Sequence, residues 1–409
     1  MKSKVKVIGV IVAVIMLGLL TIVGYYSMVL PDSFNIAKGN TLKIPSVFSI
    51  TAQSASDISA ASSYYKSNAD GEVTLMLFGA IPIKTVHANY ISTPLVVPCG
   101  EPFGVKLLSD GVMVVRLEDV GDDSPAENCG IKTGDLILSV NGKTVMTNQA
   151  LADAIMESNG KTVSIILRRD HEIMSVKLTP SLSEGAYKAG IWVRDSSAGI
   201  GTITFYDANT GMFGGLGHAI CDNDTGKSIS ISSGTVGDVT INGFNKSKNG
   251  SPGELLGSFI NRSSSGTILS NSECGIFGTL NKAPNCNDCI SLGFRQDIEI
   301  GSAEILTTID GCKPQRYEIE IERISLGSDS TKDMVIKITD TRLLEKTGGI
   351  VQGMSGSPII QNGKLVGAVT HVFVKDTTKG YAVFADRMYE EMCRFENMTS
   401  SYEIAQNVS

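Results

Sequence analysis

From about Gly190 onward the apolar positions of this chain alternate with polar ones in short runs separated by glycine-rich turns. Gly201-Thr202-Ile203-Thr204-Phe205-Tyr206, Ala303-Glu304-Ile305-Leu306-Thr307-Thr308-Ile309 and Arg316-Tyr317-Glu318-Ile319-Glu320-Ile321-Glu322 show the pattern. A period of two points successive side chains to opposite faces of a strand, and many short strands with such turns predict a sandwich or barrel. Two earlier runs, Glu72–Phe78 and Ile81–Val86, predict a pair of strands joined by a short turn. Helical spacing is rare. Leu151, Ala154 and Ile155 mark a helix from about Asn148 to Ser158, and Ala385 to Phe395 reads as a final amphipathic helix on the outside. Residues 40–70, rich in Ser and Ala without sustained periodicity, read as a flexible stalk open to proteolysis.

One stretch has no polar phase at all. Lys2, Lys4 and Lys6 precede an uncharged run from Val7 to Leu30 that ends at Pro31-Asp32. It exceeds the roughly 7–15 apolar residues of a signal-peptide core and reaches the ~20 needed to cross a bilayer. With the lysines on its short side, the N-terminus is expected in the cytoplasm and the body outside it.

The 43 glycines, 12 prolines and 6% aromatics fit turn-rich β structure. A net charge of −7 and the lack of a dense Lys/Arg block argue against nucleic acid as a partner. Eight cysteines are too few for a disulfide scaffold. Cys286-Asn-Asp-Cys289 has the spacing of a zinc ligand pair, but no second pair or paired histidine lies nearby.

Between Cys99 and Leu178 the runs form a unit of their own. Strands led by Pro102-Phe103-Gly104-Val105 and by Gly111-Val112-Met113-Val114-Val115 precede Ser124-Pro125-Ala126-Glu127-Asn128-Cys129-Gly130-Ile131-Lys132-Thr133-Gly134-Asp135. A strand with an Asn141-Gly142 turn, the helix, and the strand Thr162–Arg169 complete it. The order, and the phrase from Ser124 to Gly142 above all, resembles a PDZ domain of the bacterial periplasmic-protease type. The resemblance implies that an extended peptide adds between a sheet edge and the helix. It implies that Phe103, Gly104 and Val105 form the carboxylate loop and that Leu151 and Ile155 line the groove, core packing being the alternative for those two.

The chemistry is concentrated at Gly353-Met354-Ser355-Gly356-Ser357-Pro358. A serine between glycines suits an acyl-transfer nucleophile, because a backbone without Cβ passes close to a substrate. The Gly353 and Ser355 amides would face the oxyanion. Asn362-Gly363 between two apolar runs predicts a hairpin after the serine, against the helix that follows an α/β-hydrolase nucleophile. Serine needs a base, and the chain has four histidines: His87, His171, His218 and His371. His218, in Gly214-Gly215-Leu216-Gly217-His218-Ala219, is crowded by glycines as Ser355 is and is the first candidate, with His371 next. Asp222, Asp224, Asp238, Asp297, Asp310 and Asp340 are all open as the acid.

With these motifs in order, nearly the whole chain resembles the stage IV sporulation protein B serine peptidases of endospore-forming bacteria. The resemblance implies a chymotrypsin-like double β-barrel, and it places the acid a short way before the serine, on Asp340. It implies a cofactor-free endopeptidase of the space between the two membranes of the developing spore. Such an enzyme cleaves itself near the N-terminus and then cleaves a membrane-bound regulator of an intramembrane metalloprotease, activating a late sigma factor. The expected division is an anchor over 1–30, a stalk and leading strands over 31–98, a PDZ domain over 99–180, and a peptidase domain with a C-terminal helix over 181–409. Two rival readings are a non-catalytic PDZ scaffold, in which the Gly-Ser turn is only structural, and a metal-dependent hydrolase built on Cys286 and Cys289.

Overall fold

The computed structural model describes residues 2–54, 70–260, 264–284, 286–327 and 331–395. The apolar run forms helix α1 (Lys2–Val29). Its stretch Lys6–Val29 is long and apolar enough to cross a bilayer and stays uncovered by the protein, until Tyr26 and Leu30 become buried at the body. Strands β1 (Ser33–Ala37), β2 (Ile50–Ser54), β3 (Gly71–Leu77) and β4 (Ile81–Ile91) follow in a sheet of order β1-β4-β3-β2. β1 runs parallel to β4, with Ser33 opposite His87, and β2 runs antiparallel to β3, with Ile50 opposite Leu77. Phe34 and Ile36 are buried, as are Leu42, Ile44 and Ile50. Residues 40–54 are therefore packed, not a loose stalk. Their few apolar side chains find partners only once the later strands are in place. The rest of that expected stalk, 55–69, lies outside the described residues. The Gln296 side chain donates to the Asn35 carbonyl, and the Asn35 side chain donates to Glu390 at 2.6 Å, so the sheet is tied to the body.

After β5 (Leu95–Pro98) comes β6 (Pro102–Leu117), a strand shared by two units. Its second half opens the PDZ unit, which continues through α2 (Pro125–Asn128), β7 (Leu136–Val140), β8 (Lys143–Thr144), α3 (Asn148–Glu157), β9 (Val163–Arg169) and β10 (Glu172–Leu178). A small hairpin, β11 (Ser181–Ser183) and β12 (Ala186–Lys188), leads to β13 (Ile191–Asp207), which is also shared. Val112, Ile137, Leu151, Ile155, Val163 and Leu167 form the core of this unit. The α3 boundary follows local chemistry: the Thr147 side chain accepts from the Ala150 amide as N-cap.

The first halves and last halves of these shared strands belong elsewhere. Phe103 pairs with Gly201 on β13 and with Asp238 on β15 (Ile231–Asn245). With β14 (Met212–Gly215), β17 (Gly266–Ser272) and β18 (Gly275–Leu280), they close an antiparallel ring β6-β13-β14-β18-β17-β15. β16 (Glu254–Phe259) extends β15 as a hairpin arm. A second antiparallel ring, β20-β21-β22-β25-β24-β23, is made by β20 (Gly301–Thr307), β21 (Gln315–Ile324), β22 (Met334–Ile338), β23 (Pro358–Gln361), β24 (Lys364–Val372) and β25 (Lys379–Phe384). β19 (Ile290–Leu292) joins β24 to β5. Helix α4 (Thr341–Thr347) precedes the serine turn, and residues 385–395 form the last helix, α5. The double barrel is present. The PDZ unit is an insertion between two strands of its first barrel, so one folded unit spans the boundary expected at 180.

That insertion moves part of the expected peptide groove. Phe103, Gly104 and Val105 do not form a carboxylate loop: they lie in β6 with both edges paired, and Phe103 and Val105 fill the first barrel. Leu151 and Ile155 are both core and groove. They line a cleft of about 590 Å³ between α3, the 118–121 turn and the start of β13. Among the described residues no strand covers the second edge of Ile191–Arg194.

Candidate active site between the barrels

The serine turn connects α4 to β23, and its shape follows from its glycines. Gly353 has φ +96° and Gly356 has φ +95°, a region that L side chains rarely adopt. A Cβ on Gly356 would lie 2.1 Å from the Thr202 carbonyl oxygen and 2.5 Å from the Leu216 nitrogen. The turn is thus pressed against β13 and against the loop that carries His218. A Cβ on Gly217 would in turn meet Thr370 Cγ2 at 3.0 Å, so the same loop also packs on β24. The Asn362-Gly363 hairpin forms as its sequence demands, with φ +51° and +72° and β23 paired to β24.

Ser355 is half-buried, and its hydroxyl donates to the Thr370 carbonyl at 2.6 Å. Its own carbonyl accepts from the Thr202 amide at 3.0 Å. The amides of Met354, Gly356 and Ser357 are used within or beside the turn. Among the described residues the Gly353 and Ser355 amides have no acceptor.

His218 is half-buried. Its Nδ1 lies 2.8 Å from the Ala219 carbonyl, which selects the tautomer with hydrogen on Nδ1 and leaves Nε2 free to accept. Burial lowers its pKa from the ordinary 6.5, so the ring is neutral at neutral pH. The His218 ring stacks on His371, with centroids 4.6 Å apart and planes at 38°. Desolvation, then repulsion from His218 and Lys332, lowers His371 to about 4. The site therefore brings together Ser355, His218 and His371, the last being one residue beyond the carbonyl that holds the serine. No hydrogen bond joins Ser355 to His218 in this state.

Asp340 stands apart from the imidazoles. It is the N-cap of α4, and its carboxylate accepts from the Arg342 amide at 2.9 Å, from the Arg342 guanidinium at 2.7 and 3.1 Å, and from the Glu318 amide at 3.3 Å. The Arg342 side chain first, and those amides after it, hold its pKa down at about 2. The orienting place at His218 Nδ1 is filled by a main-chain oxygen instead. His87 is paired into the anchor sheet on β4, and His171 is exposed on the β9–β10 turn, both as expected of bystanders. Cys289 is a half-buried free thiol; the Cys286 side chain lies outside the described residues.

Comparison with protein families decides the kinship. A family model described as SpoIVB peptidase S55 matches residues 185–389, half of the chain, and a PDZ domain model matches 116–169. The chain belongs to the SpoIVB peptidase S55 family. Its SpoIVB-type peptidase region contains both His218 and Ser355, and its PDZ match lies within the inserted unit. Among curated proteins, serine protease HTRA1 of Xenopus tropicalis is 39% identical over 76 residues, which is 19% of this chain and 16% of that protein. A putative zinc metalloprotease of Thermotoga maritima is 30% identical over 81 residues, 20% of this chain and 16% of that protein. The chain thus spans about a sixth of the length of these relatives. Among solved structures, the PDZ domain of an SdrC-like protein from Listeria monocytogenes is 28% identical with a TM-score of 0.18, covering 20% of this chain and 87% of that one. The active form of the Rv3671c protease from M. tuberculosis is 13% identical with a TM-score of 0.29, covering 49% of this chain and 74% of that one.

Sequence reasoning missed the residues that join the two loops. Thr202 and Thr204 are buried polar side chains on one face of β13, bonded to Gly353 and Gly356 of the serine turn. The two threonines hold the polar phase of that alternating strand, which reads as its solvent face, so nothing in the sequence signals their burial.

Proposed function

We propose that this SpoIVB-type protein is a membrane-anchored serine endopeptidase in which Ser355 is the nucleophile and His218 the general base. Ser355 Oγ attacks the scissile carbonyl while its proton passes to His218 Nε2. The oxyanion is held by the Gly353 and Ser355 amides, and the imidazolium returns the proton to the leaving amine. Water then hydrolyses the acyl-enzyme by the same route. The observation that carries this reading is the close packing of the two glycine-crowded loops at the barrel junction, with two amides of the serine turn lacking acceptors. The missing Ser355–His218 hydrogen bond is compatible with it, since catalytic bonds tighten when substrate is bound. Asp340 is engaged by Arg342 and the Glu318 amide, so the proposed mechanism assigns the orienting role at Nδ1 to the Ala219 carbonyl.

The inserted PDZ unit is proposed to hold an extended peptide along Ile191–Val193, opposite α3, over Leu151 and Ile155. On family resemblance we further propose that the body faces the space between the two membranes of the developing spore. There the enzyme would cleave its own N-terminal region and a membrane-bound regulator of an intramembrane metalloprotease, leading to sigma factor activation. A fluorophosphonate probe tests the chemistry. It should label the full-length protein and leave Ser355→Ala unlabelled; equal labelling of both would leave a peptide-docking scaffold. Sizing the N-terminal products of wild type and Ser355→Ala tests self-cleavage, which identical products would refute.

A further inference from the structure

Thr202 touches both halves of the candidate site while belonging to neither. It lies on β13 in the first barrel and is 1% exposed. Its amide donates to the Ser355 carbonyl at 3.0 Å, its hydroxyl donates to the Gly353 carbonyl at 2.8 Å, and its carbonyl accepts from the Leu216 amide at 3.2 Å. One residue thereby fixes the nucleophile, the peptide beside one proposed oxyanion donor, and the loop two residues before His218. Thr204, two positions on and fully buried, donates to the Gly356 carbonyl at 2.7 Å. The main-chain bonds of Thr202 would be available to any residue on β13. The bond to Gly353 requires a hydroxyl.

That bond has a specific consequence at a glycine with φ +96°. Such a residue has low barriers to peptide rotation, and turning the Gly353–Met354 peptide would swing that carbonyl off β13, pull the Met354 amide from the Val351 carbonyl and displace the flanking Gly353 and Ser355 amides that the oxyanion needs. A buried carbonyl also loses its partner at a cost if the hydroxyl is removed, which favours rearrangement of the turn.

We propose that Thr202 is a positioning residue: its side-chain hydroxyl locks the Gly353 carbonyl on the β13 side and so keeps the nucleophile turn in its donor-presenting form. The inference rests on the peptidase reading with Ser355 as nucleophile. It concerns the rate of reaction at Ser355, not the affinity for what approaches it.

The test uses full-length protein in detergent and the kinetics of fluorophosphonate labelling, with maximal rate and half-saturating probe concentration measured separately. Thr202→Val should lower the maximal rate by about tenfold to a hundredfold, the scale of a misplaced reactive group, with half-saturation nearly unchanged. Thr202→Ser keeps the hydroxyl and should recover to within about threefold of wild type. Thermal melting is followed in parallel, and if Thr202→Val does not fold, Thr202→Ala against Thr202→Ser provides the same comparison. A folded Thr202→Val with a wild-type maximal rate overturns the inference, as does a Thr202→Ser as slow as Thr202→Val. Labelling that persists in Ser355→Ala overturns the underlying peptidase reading instead, so the two failures are distinct.

Discussion

The Ser355 hydroxyl rests on the Thr370 carbonyl at 2.6 Å, and the next residue, His371, stacks on His218. The nucleophile proton is thus parked on main chain one residue away from an imidazole pair. In the proposed mechanism it passes from there to His218 Nε2. On that mechanism the ionisation of the base, and not of the serine, sets the pH profile.

The first prediction concerns that profile. His218 is held below its ordinary 6.5 by burial, so it becomes unreactive only on the acid side of that value. The maximal labelling rate should be flat through neutral pH and fall along a single limb centred below 6.5. A limb centred above 7 would assign the base to a different group.

Exchange of the two histidines should not be symmetric. His218→Ala should lower the labelling rate about as far as Ser355→Ala, because members of one catalytic unit are not additive. His371→Ala should leave a large share of the rate if its role is only to pack. In His218→Ala the His371 ring loses a like charge and a covering ring, so its titration should rise from about 4, as read by NMR of the ring. Greater loss in His371→Ala than in His218→Ala would exchange their roles.

Asp340 offers a clean separation of cap from catalyst. Asn caps helices as well as Asp does but lacks the charge that pairs with Arg342, so at neutral pH Asp340→Asn should melt below wild type while still folding, and Asp340→Ala should lose about 1 kcal/mol more. Because the folded pKa of Asp340 is depressed to about 2 from 3.8, its contribution is present above 3.8 and lost as pH falls through 2. The stability difference between wild type and Asp340→Asn should shrink across that window in acid denaturation. A labelling or turnover loss of the order of 10⁴ in a well-folded Asp340→Asn would move this carboxylate onto the imidazole in the working enzyme.

Two glycines seven residues apart should respond very differently to a single methyl group. Gly356→Ala meets the Thr202 carbonyl at 2.1 Å in addition to an unfavourable φ, while at Gly363 nothing lies within 4 Å. Gly363→Ala should cost about 1–2 kcal/mol from backbone strain alone. Gly356→Ala should cost more than that and abolish labelling, measured by melting and by the probe.

How much of this was legible depended on whether the information was local. The Asn362-Gly363 hairpin, the helix after Thr147, and the helix at 385–395 follow from neighbouring residues, and they form where their sequences place them. The partners of β6 and β13 were not local. Each is a long strand whose two halves pair in different units, and alternation does not say with whom a strand pairs. Hence the PDZ resemblance assigns Phe103, Gly104 and Val105 to a carboxylate loop, while the strand that their residues predict is barrel wall. The cap at Asp340 could have been found. An aspartate precedes Leu343 and Leu344, and Gly348, at φ +72°, closes the helix.

The anchor sheet carries a topological consequence of its own. Strands β1 and β2 come before residue 55 and their partners β4 and β3 come after residue 69, with Phe34 and Ile36 buried at the join. A polypeptide severed anywhere between 55 and 69 would remain a nicked complex, its N-terminal piece held by the two ladders, by the Asn35 bonds and by its buried apolar side chains. Scission and departure from the bilayer are then separate events, and the second waits on peeling two strands out of a finished sheet.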